Sequence, residues 1–300
     1  MLVWSEPQLK DREWISGCVK KSGYIGSDAA FANIYLLRHK YNTKVSFYKD
    51  FLIRYYEGKA GRKGYTFPLG EGNIDKALEA VKLDAQENNR RLEFCFITEE
   101  QKKVLEAVYG DGLQYNRDDG DSDYIYGQTE LSTLAGKAYH KKKNHVSKFM
   151  RTYETFMYSE IGDGNIDDAI VVEESWYQEH IKDGDASVEA EYNAIKEALL
   201  YYNELELTGG IIYVNQLPVA MTIASYINAK AVDIHFEKCI GEYALNGGYA
   251  TINQLYARTL KDVLYINREE DINIPGLRKA KESYHPKMML KKYSATERSL

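Results

Sequence analysis

Apolar positions along this chain switch repeatedly between a period near two and a period near four. From Lys44 to Tyr56 and from Gly64 to Leu69 the chain is rich in aromatic and β-branched residues, with a Gly/Lys/Arg turn from Gly58 to Lys63 between them. That pattern predicts an antiparallel hairpin with a basic, exposed tip. Before it, Ala29 to Leu37 carries Phe31, Ile34, Tyr35 and Leu37 at helical spacing, capped by Ser27 or Asp28. After it, Ile74, Ala77, Leu78, Val81 and Ala85 mark a helix that opens at Asn73, with Asp75 favourable in its first turn. A strand over 92–97, a helix over 99–109 and a strand over 124–131 follow, the last two joined by an acidic loop.

The second half has helices over 136–153, 166–180 and 188–205, a strand near 156–161, and strands over 209–214, 219–226 and 231–236. A helix over 248–260, a buried strand over 263–266, a helix over 275–284 opened by Pro275, and a strand over 288–293 close the chain. Hairpin, helix, strand, helix, strand thus occurs twice, from Lys44 to Leu131 and from Gly209 to Tyr293. The repetition predicts an α/β protein of duplicated architecture, divided into 1–153 and 154–300. Gly72-Asn73-Ile74-Asp75 and Gly164-Asn165-Ile166-Asp167 are echoes of capping chemistry at non-equivalent places.

Length and composition agree with two globular units: 300 residues, 44% apolar and 28% charged. The N-terminus is charged where an export signal needs an apolar core. The most apolar stretch, Leu217 to Ile227, is interrupted by Pro218, Thr222 and Ser225 and falls short of the ~20 residues that span a bilayer. Cys18, Cys95 and Cys239 form no C-x-x-C pair, so a cytoplasmic protein without disulfides is expected. Cys95, between Phe94 and Phe96, reads as a packed core thiol.

The formal net charge is −6, yet two segments are strongly basic. Between Leu131 and Tyr153 there are Lys137, Lys141, Lys142, Lys143, Lys148 and Arg151 and no acid. On a helix Lys137, Lys141, His145 and Lys148 share one side while Tyr139, Val146, Met150 and Tyr153 face inward. Charge runs are ordinarily solvated, but without compensating acids this stripe suits a phosphate backbone. From Gly276 to Tyr293 come Arg278, Lys279, Lys281, Lys287, Lys291 and Lys292 against Glu282 alone. They follow Glu269, Glu270 and Asp271, which stand just past a strand's carboxyl end, where α/β proteins bind ligands.

Other motifs fail. His235-Phe236-Glu237 lacks the P-C-x-x-C that would complete a zinc deaminase site. His140 and His145 miss the i,i+4 spacing of a shared zinc. Asp119, Asp121, Asp123 and Glu130 imitate an EF-hand, but Tyr124 replaces the obligatory glycine, leaving a solvated acidic loop as the reading. No G-x-S-x-G, P-loop or G-x-G-x-x-G is present.

The segments Leu131 to Phe149, with Gly136-Lys137-Ala138-Tyr139-His140-Lys141-Lys142-Lys143, and Asn267 to Pro286, with Asn273-Ile274-Pro275-Gly276-Leu277-Arg278-Lys279-Ala280-Lys281, resemble the phosphatidylglycerol lysyltransferase C-terminal family. The resemblance extends over essentially the whole chain. It implies two tandem GNAT-like acyltransferase folds with mixed sheets flanked by helices. It also implies transfer of an aminoacyl group from aminoacyl-tRNA to a lipid headgroup or another small acceptor, by a cytoplasmic part. The family's integral-membrane region is absent from this sequence, so contact with anionic lipid would be peripheral. The pyrophosphate loop of ordinary acetyltransferases is missing: Gly70-Glu71-Gly72 places a carboxylate there and Asn246-Gly247-Gly248 is degenerate, which disfavours coenzyme A. No cofactor and no metal are expected.

Glu270 or Asp271 are the expected catalytic bases. Arg278, Lys279 and Lys281, with Arg268 and Tyr284, would bind the donor's phosphates or the lipid headgroup, and Lys137, Lys141, Lys142 and Lys143 would guide the tRNA. A non-catalytic module binding tRNA or an anionic membrane, and a CoA-dependent N-acetyltransferase, are the competing readings.

Overall fold

A computed structural model describes residues 1–58, 61–181 and 186–298. The strands are β1 Thr43–Tyr48, β2 Phe51–Glu57, β3 Lys63–Tyr65, β4 Leu69–Gly70, β5 Glu93–Ile97, β6 Leu113–Arg117, β7 Asp123–Gly127, β8 Phe156–Glu160, β9 Leu207–Val214, β10 Leu217–Asn228, β11 Ala231–Cys239, β12 Tyr265–Asn267, β13 Met288–Leu290 and β14 Tyr293–Glu297. Two compact units emerge, and the boundary is not a single cut at 153. The first unit holds Met1–Tyr124, Glu269–Arg278 and the segment from Met288 onward, while the second holds Ile125–Arg268 and Lys279–Lys287.

The first unit's sheet has the order β1-β2-β3-β5-β14-β6, with β4 also on β2. β1 and β2 form the expected hairpin, Thr43↔Tyr56 through Tyr48↔Phe51. Phe51 to Tyr56 are buried on both faces, as a central strand requires. The last strand, β14, pairs antiparallel with both β5 and β6. The strand expected over 288–293 divides: β13 joins the second sheet beside β7, while β14, starting at Tyr293, completes the first sheet, which is why a cut by sequence order fails. Helix Ile74–Glu87 begins where expected, Asn73 Oδ1 accepting from the Lys76 N–H at 3.1 Å. It packs Leu78, Val81 and Ala85 onto Tyr65, Phe94 and Ile97.

Two elements of this unit escape the hydrophobic pattern. Helix Arg12–Ser22 buries only Ile15, Cys18 and Val19 and ends on Gly23; its polar majority hides the stripe. β6 lies in the expected acidic loop, and Asp123 just beyond it is fully buried rather than solvated. Of the expected exposed turn, Lys59 and Ala60 lie outside the described residues, and Arg62 folds inward over the rings of Tyr41 and Phe96 at 3.9 and 4.6 Å.

The second sheet runs β13-β7-β12-β11-β10-β9-β8. β9, β10 and β11 form an antiparallel meander. β11 and β12 run parallel through Ala231↔Tyr265, Val232↔Ile266 and Asp233↔Asn267. Beyond that pairing β12 stops while β11 continues to Cys239, so the two strands part. The ladder shifts register between Ile223 and Ala224, so that His235 has no opposite residue on β10. Helix Gly248–Thr259 follows the meander, and its entry is tight: a Cβ on Gly247 (φ 101°) would stand 2.3 Å from the His145 carbonyl oxygen. That glycine lets the basic helix, His140–Thr152, lie close to the loop.

One buried group in this unit carries a pH dependence. Glu173, on helix Ile166–His180, is 1% exposed, and neither carboxylate oxygen has a hydrogen-bond partner among the described residues. Burial pushes its carboxyl up to about 7, with Lys238 opposing and Glu191 adding to the rise. An acid whose folded pKa is raised costs nothing below its unfolded value, loses stability as pH climbs from about 4.3, and stays penalised above 7. Glu173→Gln is therefore expected to stabilise the protein at pH 8 by roughly 2–3 kcal/mol and not at pH 4, as read by urea denaturation at both values.

Candidate functional site

The strand divergence in the second unit exposes the end of β12, and the residue placed there is Arg268. Its Nη2 donates to Glu237 Oε1 at 2.9 Å, both side chains being largely buried. Asn253, from helix Gly248–Thr259, donates through Nδ2 to the other oxygen, Glu237 Oε2, at 3.1 Å. Because the carboxylate can only accept, the amide's Oδ1 must turn away from it. Asn253 Oδ1 and Arg268 Nη1 are both buried without a hydrogen-bond partner among the described residues. Glu237 thus orients one acceptor and one donor whose remaining valences are unused.

Aromatic and cationic groups close the cluster. The Arg268 guanidinium lies 4.7 Å from the ring centroid of Tyr284, and Lys142 Nζ lies 3.7 Å from the same centroid. Lys281 is buried and donates to the Arg268 carbonyl at 2.5 Å, fixing the chain just past β12; Tyr126 donates its hydroxyl to the Lys281 carbonyl at 2.7 Å. Burial and the neighbouring Arg268 push the Lys142 ammonium down to about 8. Although burial opposes its charge, Glu237 and the two phenols hold the Arg268 guanidinium above its ordinary value. Burial raises the Tyr284 hydroxyl to about 12.

The basic helix divides its charges as its period demands. Val146 and Phe149 are buried, and Met150 packs with Leu134, Tyr139 and Ala250. Lys137, in the turn before the helix, and Lys141, Lys143, Lys148 and Arg151 are exposed. Lys142 alone of the lysine triplet turns inward.

The second basic segment does not form one cationic surface. Arg278 is clamped on Asp271, Nε to Oδ2 at 2.7 Å and Nη2 to Oδ1 at 2.9 Å, within the first unit. Lys279 is exposed, Lys281 supports Arg268, and Lys292 is buried in the first unit. Arg278, Lys279 and Lys281 share the helix Pro275–Glu282, yet one pairs with Asp271, one faces solvent and one donates to the Arg268 carbonyl.

Glu270 and Asp271, the expected bases, both lie in the first unit. Asp271 accepts from Arg278, from the Tyr124 hydroxyl at 2.6 Å and from the Asn273 N–H at 2.8 Å. These donors, Arg278 foremost, hold its carboxyl down to about 2, which makes it a poor proton acceptor. Glu270 accepts from Arg62 Nη2 at 3.0 Å beside a cavity of about 30 Å³, room for about one water. The pairing that sequence reasoning missed is Glu237 with Asn253. Glu237 stands one residue past the strand expected over 231–236 and Asn253 within the helix expected over 248–260, so no local pattern joined them; the strand in fact extends to Cys239.

His235 donates or accepts through Nε2 with Ser225 Oγ at 2.8 Å and faces Asp233 through Nδ1 at 3.3 Å. Cys239 is buried, its thiol pushed up to about 12 chiefly by burial. The histidine belongs to a strand-to-strand polar link and not to a histidine–cysteine metal shell.

A three-stranded meander followed by a helix and a parallel strand that diverges from its neighbour defines a GNAT-type acyltransferase fold, and each unit carries a version of it. The chain belongs to the phosphatidylglycerol lysyltransferase C-terminal family, matched over residues 20–296. A conserved protein of unknown function from Bacteroides thetaiotaomicron is 32% identical in sequence, with a TM-score of 0.93 over 99% of this chain and 100% of that one. The C-terminal domain of a putative lysylphosphatidylglycerol synthetase from Agrobacterium fabrum shares 14% identity at a TM-score of 0.67 over 97% and 92% of the two chains. A tandem GNAT protein from the clavulanic acid biosynthesis pathway has a TM-score of 0.50 and 10% identity, covering both chains completely. Among the described residues no helix is long and apolar enough to cross a membrane.

Proposed function

We infer that this chain transfers an aminoacyl group from aminoacyl-tRNA to a hydroxyl acceptor such as a lipid headgroup, using the cluster around Arg268, and that it does so without coenzyme A. One observation carries the reading: a helix whose outer face carries Lys141, Lys143, Lys148 and Arg151 sends a single lysine, Lys142, inward beside an arginine with an unused donor.

In this reaction the acceptor oxygen attacks the ester carbonyl of the aminoacyl group while its proton passes to the neutral amine of Lys142. Arg268 Nη1 donates to the oxyanion that forms. The bond to the terminal ribose oxygen of the tRNA then breaks, and that oxygen takes the proton back from Lys142. A pKa near 8 suits both transfers, since appreciable amine and ammonium coexist at neutral pH. Tyr284 supplies an aromatic face that keeps the lysine in place. Asn253 Oδ1 is left to accept from the ammonium of the aminoacyl group.

The exposed cations of the basic helix would hold the tRNA. Its apolar face is already packed against its own unit, so it lacks the free apolar side with which a helix enters a bilayer. Replacing Lys141, Lys143 and Lys148 together with Ala is expected to reduce the slope of log affinity against log salt by about 2, at about 0.7 per lost phosphate contact. Titration of the protein with a tRNA at several salt concentrations measures it, and an unchanged slope removes these residues from the interface. Transfer itself is tested by incubating the protein with charged tRNAs, and separately with acetyl-CoA, over a panel of acceptors. Binding of tRNA without turnover would leave only a binding module.

A further inference from the structure

The first unit contains a cavity that the transfer reading does not use. β3 and β5 run parallel but meet at one pair, Tyr65↔Phe94, after which the chain from Thr66 swings away to place β4 against β2. The wedge left between Phe67–Gly72 and the start of helix Glu99–Tyr109 is a cavity of about 460 Å³, within the ordinary range for a small-molecule site. Its opening depends on Gly70, where a Cβ would stand 2.1 Å from the Asp50 carbonyl oxygen, so no larger residue brings β4 onto β2 in this way.

The chemistry of the walls selects among ligands. Tyr24, Phe51 and Phe67 supply aromatic surface, and Leu69, Ile74 and Val104 supply aliphatic surface. Among the described residues the single charged lining residue is Glu100, and no lysine or arginine lines the cavity. Two helices begin at its edge, a position that often serves a phosphate. Here each end already has one N–H capped, Asn73 Oδ1 accepting from the Lys76 N–H and Thr98 Oγ1 from the Gln101 N–H, and Asp75, Glu99 and Glu100 occupy the first turns. A phosphate or carboxylate would meet the negative charge of these first-turn carboxylates.

We propose that this cavity is a binding site for a small amphipathic amine, an apolar body about the size of an aromatic ring with a short chain that ends in a cation placed at Glu100. The site is separate from the transfer chemistry, and its test requires no turnover. Isothermal titration with 4-phenylbutylamine, 4-phenylbutyrate and coenzyme A compares one body bearing opposite charges with a phosphate-bearing ligand. The amine is expected to bind one per chain, at least about tenfold tighter than the carboxylate, as a charge-assisted contact requires. Glu100→Gln is expected to weaken the amine about tenfold and to lower the melting temperature only slightly, because Glu100 is exposed and gives up no more than a first-turn charge. Val104→Trp, which fills the cavity, is expected to abolish binding. No amine binding, or coenzyme A or phenylbutyrate binding as tightly as the amine, overturns the assignment; so does an unaltered affinity in a folded Glu100→Gln protein.

Discussion

Replacing Lys292 with Met is expected to destabilise the first unit by about 3–5 kcal/mol. Lys292 Nζ is buried and contacts Asp123 Oδ1 at 2.6 Å and Asp28 Oδ1 at 3.1 Å. Asp28 is held from the other side by Arg54, Nη2 to Oδ2 at 2.7 Å, and the Asp28 backbone carbonyl also accepts from Arg54 Nη1. Ser27 adds its N–H and hydroxyl to Asp123. Two cations and two carboxylates therefore neutralise one another out of water. Removal of one cation leaves a carboxylate buried without compensation, which costs more than the pair itself contributes.

The effect should be partly reversed in the Lys292→Met/Asp123→Asn double variant, which removes a charge of each sign. Urea denaturation of the four proteins closes the cycle, and a loss below about 1 kcal/mol in the single variant would show that the network is not coupled in this way. Burial opposes the charge on Asp28, but Lys292 and Arg54 hold its carboxyl well below the usual range. Its stabilisation is present above the unfolded carboxylate value of about 3.9 and is lost as pH falls toward the lower folded value.

Lys142→Met is expected to lower turnover about 10²- to 10⁴-fold, the usual contribution of a positioned acid–base group, with little change in tRNA affinity. In the parent protein kcat should rise with pH through a pKa of about 8, as burial and Arg268 dictate. Lys142→Arg should be as inactive as Lys142→Met, because a guanidinium does not release its proton in this range. A charge needed only for binding would be rescued by arginine. A flat pH profile, or an active arginine variant, would move the proton transfer to another group. Because a lysine with a lowered folded pKa destabilises the fold at pH values below it, Lys142→Met should also be slightly more stable than the parent at pH 6.

Several features were readable from local sequence because their causes are local. Helices Ile166–His180 and Glu99–Tyr109 begin and end where the period and the flanking polar residues place them. The basic helix showed its outer face through lysines at helical spacing and its inner face through Tyr139, Val146 and Met150. Arg268, Lys142 and Tyr284, each read from the sequence as an anion-binding residue, lie together in the second unit, whereas Glu270 and Asp271, read as bases, pair with Arg62 and Arg278 in the first. Helix Arg12–Ser22 and β6 went unseen because too few of their residues are apolar to set a period.

The sequence by itself determined the helices with a clear apolar period, the first hairpin, the duplicated order and the presence of a basic surface. Tertiary structure alone decided that β14 completes the sheet begun by β1, that Lys142 is desolvated while Lys141 and Lys143 are hydrated, and that Lys292 is buried beside Asp123, 169 positions away. Backbone preference and side-chain period act over a few residues. Strand partnership and the desolvation of a charge depend on which distant segments arrive next to it, and no local pattern records that.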